Sequence, residues 1–301
     1  VSSAVPLKAN QKPKPCFEGQ QPGHDGFRLT REECDELLRK ESEAKELVHP
    51  YLNGIELLTA AYATAPRYII DFGEREMFDA SKYRHTFELV KNRVLEDWQK
   101  NAEEEKRKTG KDSGEHQKRL QHWWRLKRRR EAMLDALEKL PRYIVCARVT
   151  KRPIFEFIAT EIRPDSSLTV FAFCDDYSFG ILQSNIHTQW FKARCSTLKG
   201  DARYTSDTVF DSFPWPQKAK LDAIKRVADA SLALRTLRNK LLKDGGSTLR
   251  ELYRSLEMPG KNSLREAHEF LDEAVREAYG MKTDEDVLAF LESMLVPGVL
   301  S

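Results

Sequence analysis

A chain of 301 residues, 40% hydrophobic and 32% charged, holds enough apolar material for one or two cores under a well-solvated, helix-rich surface. Its formal net charge of only +3 leaves the distribution of charge, rather than the sum, to indicate a partner. Five scattered cysteines with no CxxC pair exclude a secreted disulfide framework and point to a reducing cytoplasm, and no apolar run approaches membrane-spanning length. The first residue is Val1 and no charged-then-apolar leader follows it, so the chain reads as part of a longer polypeptide.

Residues 1 to about 30 are rich in Pro, Gly, Lys and Gln and read as irregular. Thr30 followed by Glu32 and Glu33 signals a helix start, with the helix running to about Leu38 or slightly beyond. The segment Pro50-Tyr51-Leu52-Asn53-Gly54 reads as a turn in which Asn-Gly supplies positive φ. Arg67 to Phe72 alternates and is β-branched, which predicts a strand closed by Gly73. From Ala80 to Lys139 the pattern is helical, with Phe87, Val90, Val94 and Trp98 on one stripe and a loop near Lys108 to Gly114.

The period then changes. Strands are expected at Tyr143 to Val149, Ile154 to Ile158 and Leu168 to Phe173, followed by a helix from Phe179 to Arg194. Pro214-Trp215-Pro216 ends this region. Beyond it the chain reads as wholly helical, with one stripe of Leu221, Ile224, Ala228, Leu234, Leu237 and Leu241 stopped by Gly245-Gly246. A second stripe, Leu264, His268, Leu271, Val275 and Ala278, stops at Gly280. The expected class is α+β: a helical N-terminal arm, a mixed α/β middle and an all-helical end. The divisions fall at 1–79, 80–140, 141–216 and 217–301.

The basic residues bunch in the centre, at Lys118 to Arg130 and again at Arg142, Arg148, Lys151 and Arg152, whereas the end from Glu266 to Asp286 is acidic. A polyanion would meet the centre alone, although solvated helix faces produce the same pattern. Catalytic signatures are missing. No Gly-rich loop follows a strand, and Phe213-Pro214-Trp215-Pro216 lacks the acidic or amide residue and the Pro-Pro pair of a base-methylating loop. Glu43-Ala44-Lys45 has the letters of a nuclease motif but lies in a helical pattern with no strand-borne Asp before it. The seven histidines are dispersed, none at metal-ligand spacing, and His187 and His268 fall on apolar stripes as core residues do.

Several segments recur, in order, in one known family. They are Arg142-Tyr143-Ile144-Val145, Arg148-Val149-Thr150-Lys151, Pro164-Asp165, Val170-Phe171-Ala172, Tyr177 to Leu182, Ile186-His187 and Trp190. The most specific is Arg203-Tyr204-Thr205 leading into Phe210 to Pro216. With Phe17-Glu18-Gly19, Pro50 to Gly54, Leu249 to Tyr253 and Tyr279-Gly280, this set resembles the target-recognition and C-terminal helical regions of MmeI-like (type IIL) restriction–modification enzymes. The resemblance implies double-stranded DNA as partner and a parent that methylates adenine N6 with S-adenosylmethionine. Some relatives also cut DNA. The cofactor motif, the Asn-Pro-Pro-Phe loop and any nuclease domain would precede residue 1. This chain would then carry no catalytic residue, metal or cofactor of its own, and its second partner would be the methyltransferase domain of the same polypeptide.

Within that resemblance, Leu198 to Arg203 lies where the family specifies bases. Lys199 can donate to guanine O6 or N7, and Asp201 can accept from cytosine N4. Two apart on an extended segment, they would point to one side. A local surface ion pair is the blander alternative. Arg203 is a third reader, or else a ligand of a phosphate or a buried carboxylate. Arg148, Lys151, Arg152, Lys192 and Arg194 are expected at phosphates, which set register without reading sequence. The run Arg125 to Arg130 is either a backbone clamp or a solvated helix face. Trp123, Trp124, Trp190 and Trp215 are expected in the core. The competing readings from other classes are a metal-dependent nuclease fragment and a helical scaffold for a partner protein.

Overall fold

The computed structural model describes residues 5–59, 65–198 and 200–295. Near the N-terminus a short strand β1 (Cys16–Glu18) leads to β2 (Arg28–Leu29) and helix α1 (Arg31–Lys40). The helix begins where Thr30 and Glu33 form a reciprocal capping box, each side chain satisfying the other's free backbone N–H. Strand β3 (Val48–Leu52), helix α2 (Gly54–Thr59) and strand β4 (Arg67–Ile70) follow. The turn expected at Pro50 to Gly54 is instead a strand running into a helix. Tyr51 and Leu52 are drawn into the core, and Asn53 caps α2 by accepting from the N–H groups of Ile55 and Glu56 at 2.9 Å. Gly54 is needed for space rather than for positive φ, since a Cβ there would lie 2.9 Å from the Ser167 carbonyl oxygen.

Helices α3 (Met77–Ala80), α4 (Arg84–Thr109) and α5 (Glu115–Gln121) come next, and the expected stripe of Phe87, Val90, Val94 and Trp98 is buried. Gly110, at φ 68°, closes α4 within the expected loop. Residues 122–130 are not helical, against expectation. Trp123 and Trp124 are buried there, and the backbone of Lys127 and Arg128 bonds to Pro22 and Gln21, so tertiary pairing overrides the helical pattern. Helix α6 (Glu131–Glu138) then precedes strands β5 (Arg142–Ala147), β6 (Phe155–Ala159), β7 (Arg163–Pro164) and β8 (Leu168–Phe171).

Two sheets result. One is antiparallel throughout in the order β1-β8-β5-β6, and β5 is apolar on both faces because both are covered. The other, β2-β4-β3-β7, is antiparallel except where β3 and β7 run parallel. The helix expected from Phe179 to Arg194 is two, α7 (Asp176–Gln183) and α8 (Asn185–Arg194). Ser184 breaks them in extended conformation, and its hydroxyl caps α8 by accepting from the His187 N–H. A small hairpin, β9 (Ser196–Leu198) and β10 (Asp201–Arg203), follows.

The end is helical: α9 (Leu221–Gly245), α10 (Leu249–Arg254), α11 (Ser263–Tyr279) and α12 (Val287–Met294). The buried face of α9 is shifted from the expected stripe. It comprises Ala223, Val227, Ala230, Ser231, Leu234, Arg238 and Leu242, and Leu221 is exposed. Small residues let α9 lie close to its neighbours, as at Gly180 of α7, where a Cβ would meet the Val227 side chain at 2.7 Å. One apolar core runs from Ile144, Phe155 and Phe171 of the first sheet through Trp190 of α8 to Val227, Leu234 and Leu271. The C-terminal helices thus close the same core as the sheet. A second core joins the other sheet to α4 and the two adjacent tryptophans.

Arg238 crosses the junction fully buried, donating to Glu156 Oε2 at 2.7 Å and to the Phe155 carbonyl at 3.0 Å. Removing one partner strands the other charge. Glu156→Ala should therefore lower the unfolding free energy by roughly 3 kcal/mol, the low end for a buried pair because Glu156 keeps some solvent contact. Replacing both partners with apolar residues should recover much of that loss in urea titration. Equal losses for the single and double variants would contradict this account.

Candidate nucleic-acid interface

The hairpin is fixed at its root by backbone and aromatic contacts. The Thr150 N–H donates to the Ala202 carbonyl at 2.9 Å and the Tyr204 N–H to the Arg148 carbonyl at 2.7 Å, so β10 extends the end of β5. Val149 and Arg203 form the bridge between them. Tyr204 is wholly buried and stacks on Phe191 at 5.6 Å. The Leu182 carbonyl can only accept, so His187 Nδ1 carries the proton across that 2.8 Å contact, and Nε2 accepts from the Tyr204 hydroxyl at 2.9 Å. Both ring nitrogens are satisfied and His187 is a core histidine. His268, whose Nε2 lies 3.1 Å from the Tyr253 hydroxyl, is half-buried in the same way.

At the other end of the hairpin, Gly200 adopts φ 89° and Asp201 pairs with Leu198. The chain reverses at Gly200, so Leu198 and Asp201 belong to the two strands of a hairpin rather than to one extended segment. Lys199 lies outside the described residues. Asp201 is exposed on the returning strand, and Arg203 is half-buried with no hydrogen bond to its Nε among the described residues.

A cleft of about 430 Å³ opens beside Asp201, with Lys151, Arg152, Arg250 and Arg254 on its walls. Arg152 also donates to the Tyr253 carbonyl at 3.3 Å. Lys192 is exposed on α8 and lines a neighbouring cleft that shares Arg152. The remaining expected phosphate ligands sit differently. Arg148 pairs with Glu18, which also takes Arg130 at 2.6 Å, and burial pulls the Arg148 guanidinium below its ordinary value. Arg194 is buried, 2.7 Å from Glu292 and 4.7 Å over the Trp190 ring. Most of the basic run is engaged internally as well. Arg125 holds Glu76 at 2.8 Å, Lys127 holds Glu115 at 2.7 Å and Arg129 holds Asp71 at 3.1 Å. This run braces the fold and is neither a helix face nor a clamp of free cations; Arg128 alone of Arg125 and Lys127 to Arg130 is exposed.

Arg250 and Arg254 are brought to the cleft without having been among the residues expected at DNA. The signal was present: Thr248 and Glu251 form a capping box that starts a helix, and arginines four apart share a side of it. Phe213-Pro214-Trp215 is aromatic packing, with Trp215 5.7 Å from Phe213 and 5.6 Å from Phe173. Glu43 to Lys45 falls in a 3₁₀ turn. Among the described residues no three His, Cys, Asp or Glu side chains gather as metal ligands, and no helix is long and apolar enough to cross a membrane.

An exposed hairpin on a rigid α+β frame, beside a basic cleft, defines a DNA target recognition domain with a helical extension. The chain belongs to the MmeI family: the model for the MmeI target recognition domain matches residues 7–217, and that for the MmeI C-terminal domain matches residues 216–295. Over 119 residues, 40% of this chain, it is 30% identical to DNA methyltransferase A of Bacillus subtilis (strain 168) and covers 13% of that protein. The fold is similar to that of the type IIL restriction-modification enzyme MmeI solved in complex with DNA. The TM-score is 0.70 and the identity 18%, over 93% of this chain and 35% of that one. The chain therefore spans a minor part of both relatives.

The histidines make acid stability a test of this packing. Burial chiefly depresses His187 to about 3 and His49 and His268 to about 4. Below pH about 6.5 the unfolded chain takes up protons that these buried rings refuse, so stability is lost as pH falls from 6.5 toward 4. Asp272, raised by burial to about 6, acts oppositely between about 6 and 4. Three groups against one leave a net loss on acidification, with each fully engaged group worth up to about 1.4 kcal/mol per pH unit. The urea midpoint is expected to be lower at about pH 5 than at about pH 7. An unchanged midpoint would mean that the three rings are open to protons in the fold.

Proposed function

We propose that this chain selects the DNA sequence for an S-adenosylmethionine-dependent adenine-N6 methyltransferase whose catalytic domain lies elsewhere in the same polypeptide. The observation that carries the reading is the hairpin braced at Tyr204, which sets the exposed Asp201 beside the cations of one cleft. Asp201 accepts from the exocyclic amine of cytosine, and Lys199 donates to its guanine partner. Arg203, half-buried on the same strand as Asp201, is the third reader. Lys151, Arg152 and Lys192 neutralise phosphates and fix register. Arg148 and Arg194 act as braces through Glu18 and Glu292.

The residues of this chain do not fit a binding loop for the methyl donor. The N-terminal glycines are committed to packing: a Cβ on Gly19 would lie 2.2 Å from the Asp165 carbonyl oxygen, and one on Gly26 would lie 2.7 Å from Val94. Five unpaired cysteines support a reducing, cytoplasmic setting.

Methylome sequencing of a host carrying the full-length gene, beside one carrying Lys199→Glu with Asp201→Arg, tests the assignment. A modified-adenine motif that changes at a single base pair is the expected result. An unchanged motif removes the reading pair, and no modified adenine in either host removes the methyltransferase assignment.

A further inference from the structure

We propose, building on the DNA-recognition reading, that helix α10 is part of the DNA-binding surface. The cleft it shares with the hairpin seats the sugar–phosphate backbone beside the base pair facing Asp201. Leu249, Leu252 and Tyr253 bury one face of α10 against the core, while Arg250 and Arg254, four residues apart, emerge together along the cleft and are both exposed. Like charges at that spacing oppose each other on a two-turn helix, an arrangement that a bound anion relieves. Among the described residues, neither arginine nor Lys151 forms an ion pair, in contrast to Arg125, Lys127, Arg129 and Arg130 of the basic run.

The placement of α10 is not accidental to the hairpin. Tyr253 receives Arg152 at its carbonyl and contacts Arg238 and His268 through its hydroxyl, so the helix is locked to the strand end that carries β10. Four cations and two carboxylates, Asp201 and Glu257, line the cleft. A polyanion settling there lies toward the arginines. The Asp201 carboxylate is then left to a group that donates, as a cytosine amine does and a phosphate does not.

The test uses the full-length polypeptide containing this chain, titrated against a labelled duplex bearing the methylated site and against a scrambled duplex, over a range of salt. Arg250→Gln with Arg254→Gln should weaken binding to both duplexes alike. The slope of log affinity against log salt should become shallower by about 1.8, which shrinks the gain from a fourfold drop in salt by roughly tenfold. The preferred sequence should not change, whereas Asp201→Asn should change preference and leave the slope. Unchanged affinity and slope in a variant with native circular dichroism would overturn the proposal and leave the arginines as a solvated helix edge. Salt-independent or undetectable binding by the unsubstituted protein would overturn the DNA-recognition reading itself.

Discussion

The buried guanidinium of Arg238 is the point on which the rest of the structure turns. It sits on the α9 face that a leucine or alanine would ordinarily fill, and it reaches Glu156, the Phe155 carbonyl and the Tyr253 hydroxyl, the last at 3.4 Å. Burial, the largest influence, would lower its affinity for a proton, yet the Glu156 carboxylate and the Tyr253 hydroxyl together outweigh that and hold it raised. Such a pair adds little net stability over a well-packed apolar substitute, because desolvation offsets most of the attraction. What it adds is register. Only one placement of α9 against β6 puts the charges together, and a one-residue slip would leave both stranded. The position of α10, and hence of one wall of the cleft, follows from it.

The same economy divides the basic residues into two populations. Arg125, Lys127, Arg129, Arg130, Arg148 and Arg194 each have a carboxylate partner, for all but Lys127 from a distant part of the chain. Their partners are Glu76, Glu115, Asp71, Glu18 and Glu292, of which Glu18 and Glu292 come from near the two ends of the chain. Lys151, Arg250 and Arg254 have no ion pair among the described residues and converge on the hairpin. Cations already matched inside the fold have little to gain from phosphates, whereas these three, gathered on one cleft, are the ones the proposed reading assigns to the DNA backbone.

Periodicity made the long helix α4 and the strands β5, β6 and β8 legible, because each buries a face whose repeat survives in the letters. It failed where tertiary contact decides. Residues 122–130 have helical composition, yet Gln21 and Pro22 compete for their backbone. Arg238 on a buried face makes the true stripe of α9 look polar, so the apolar pattern falls one residue aside, at Ile224 and Leu241. Ser184 is an ordinary helix residue by pattern and a cap only in context. Of the site, the hairpin residues were visible through ordered motifs. The separation of Arg148 and Arg194 from Lys151 and Arg152 was not, since it depends on where Glu18 and Glu292 arrive in space.

A recognition surface that must change without unfolding its protein needs its variable residues to hold nothing together, and this hairpin is built that way. Its root is secured by backbone hydrogen bonds to Arg148 and Thr150 and by the buried Tyr204–His187–Phe191 group. None of these depends on which side chain stands at Asp201. That residue is exposed, so exchanging it falls among surface substitutions that alter stability by about 0.5 kcal/mol or less. A mismatched base pair, by comparison, costs about 1–3 kcal/mol of binding. Under the proposed reading, the position is free to vary for specificity at almost no cost to the fold, while the cation cleft beside it, indifferent to base identity, would supply affinity to every variant alike.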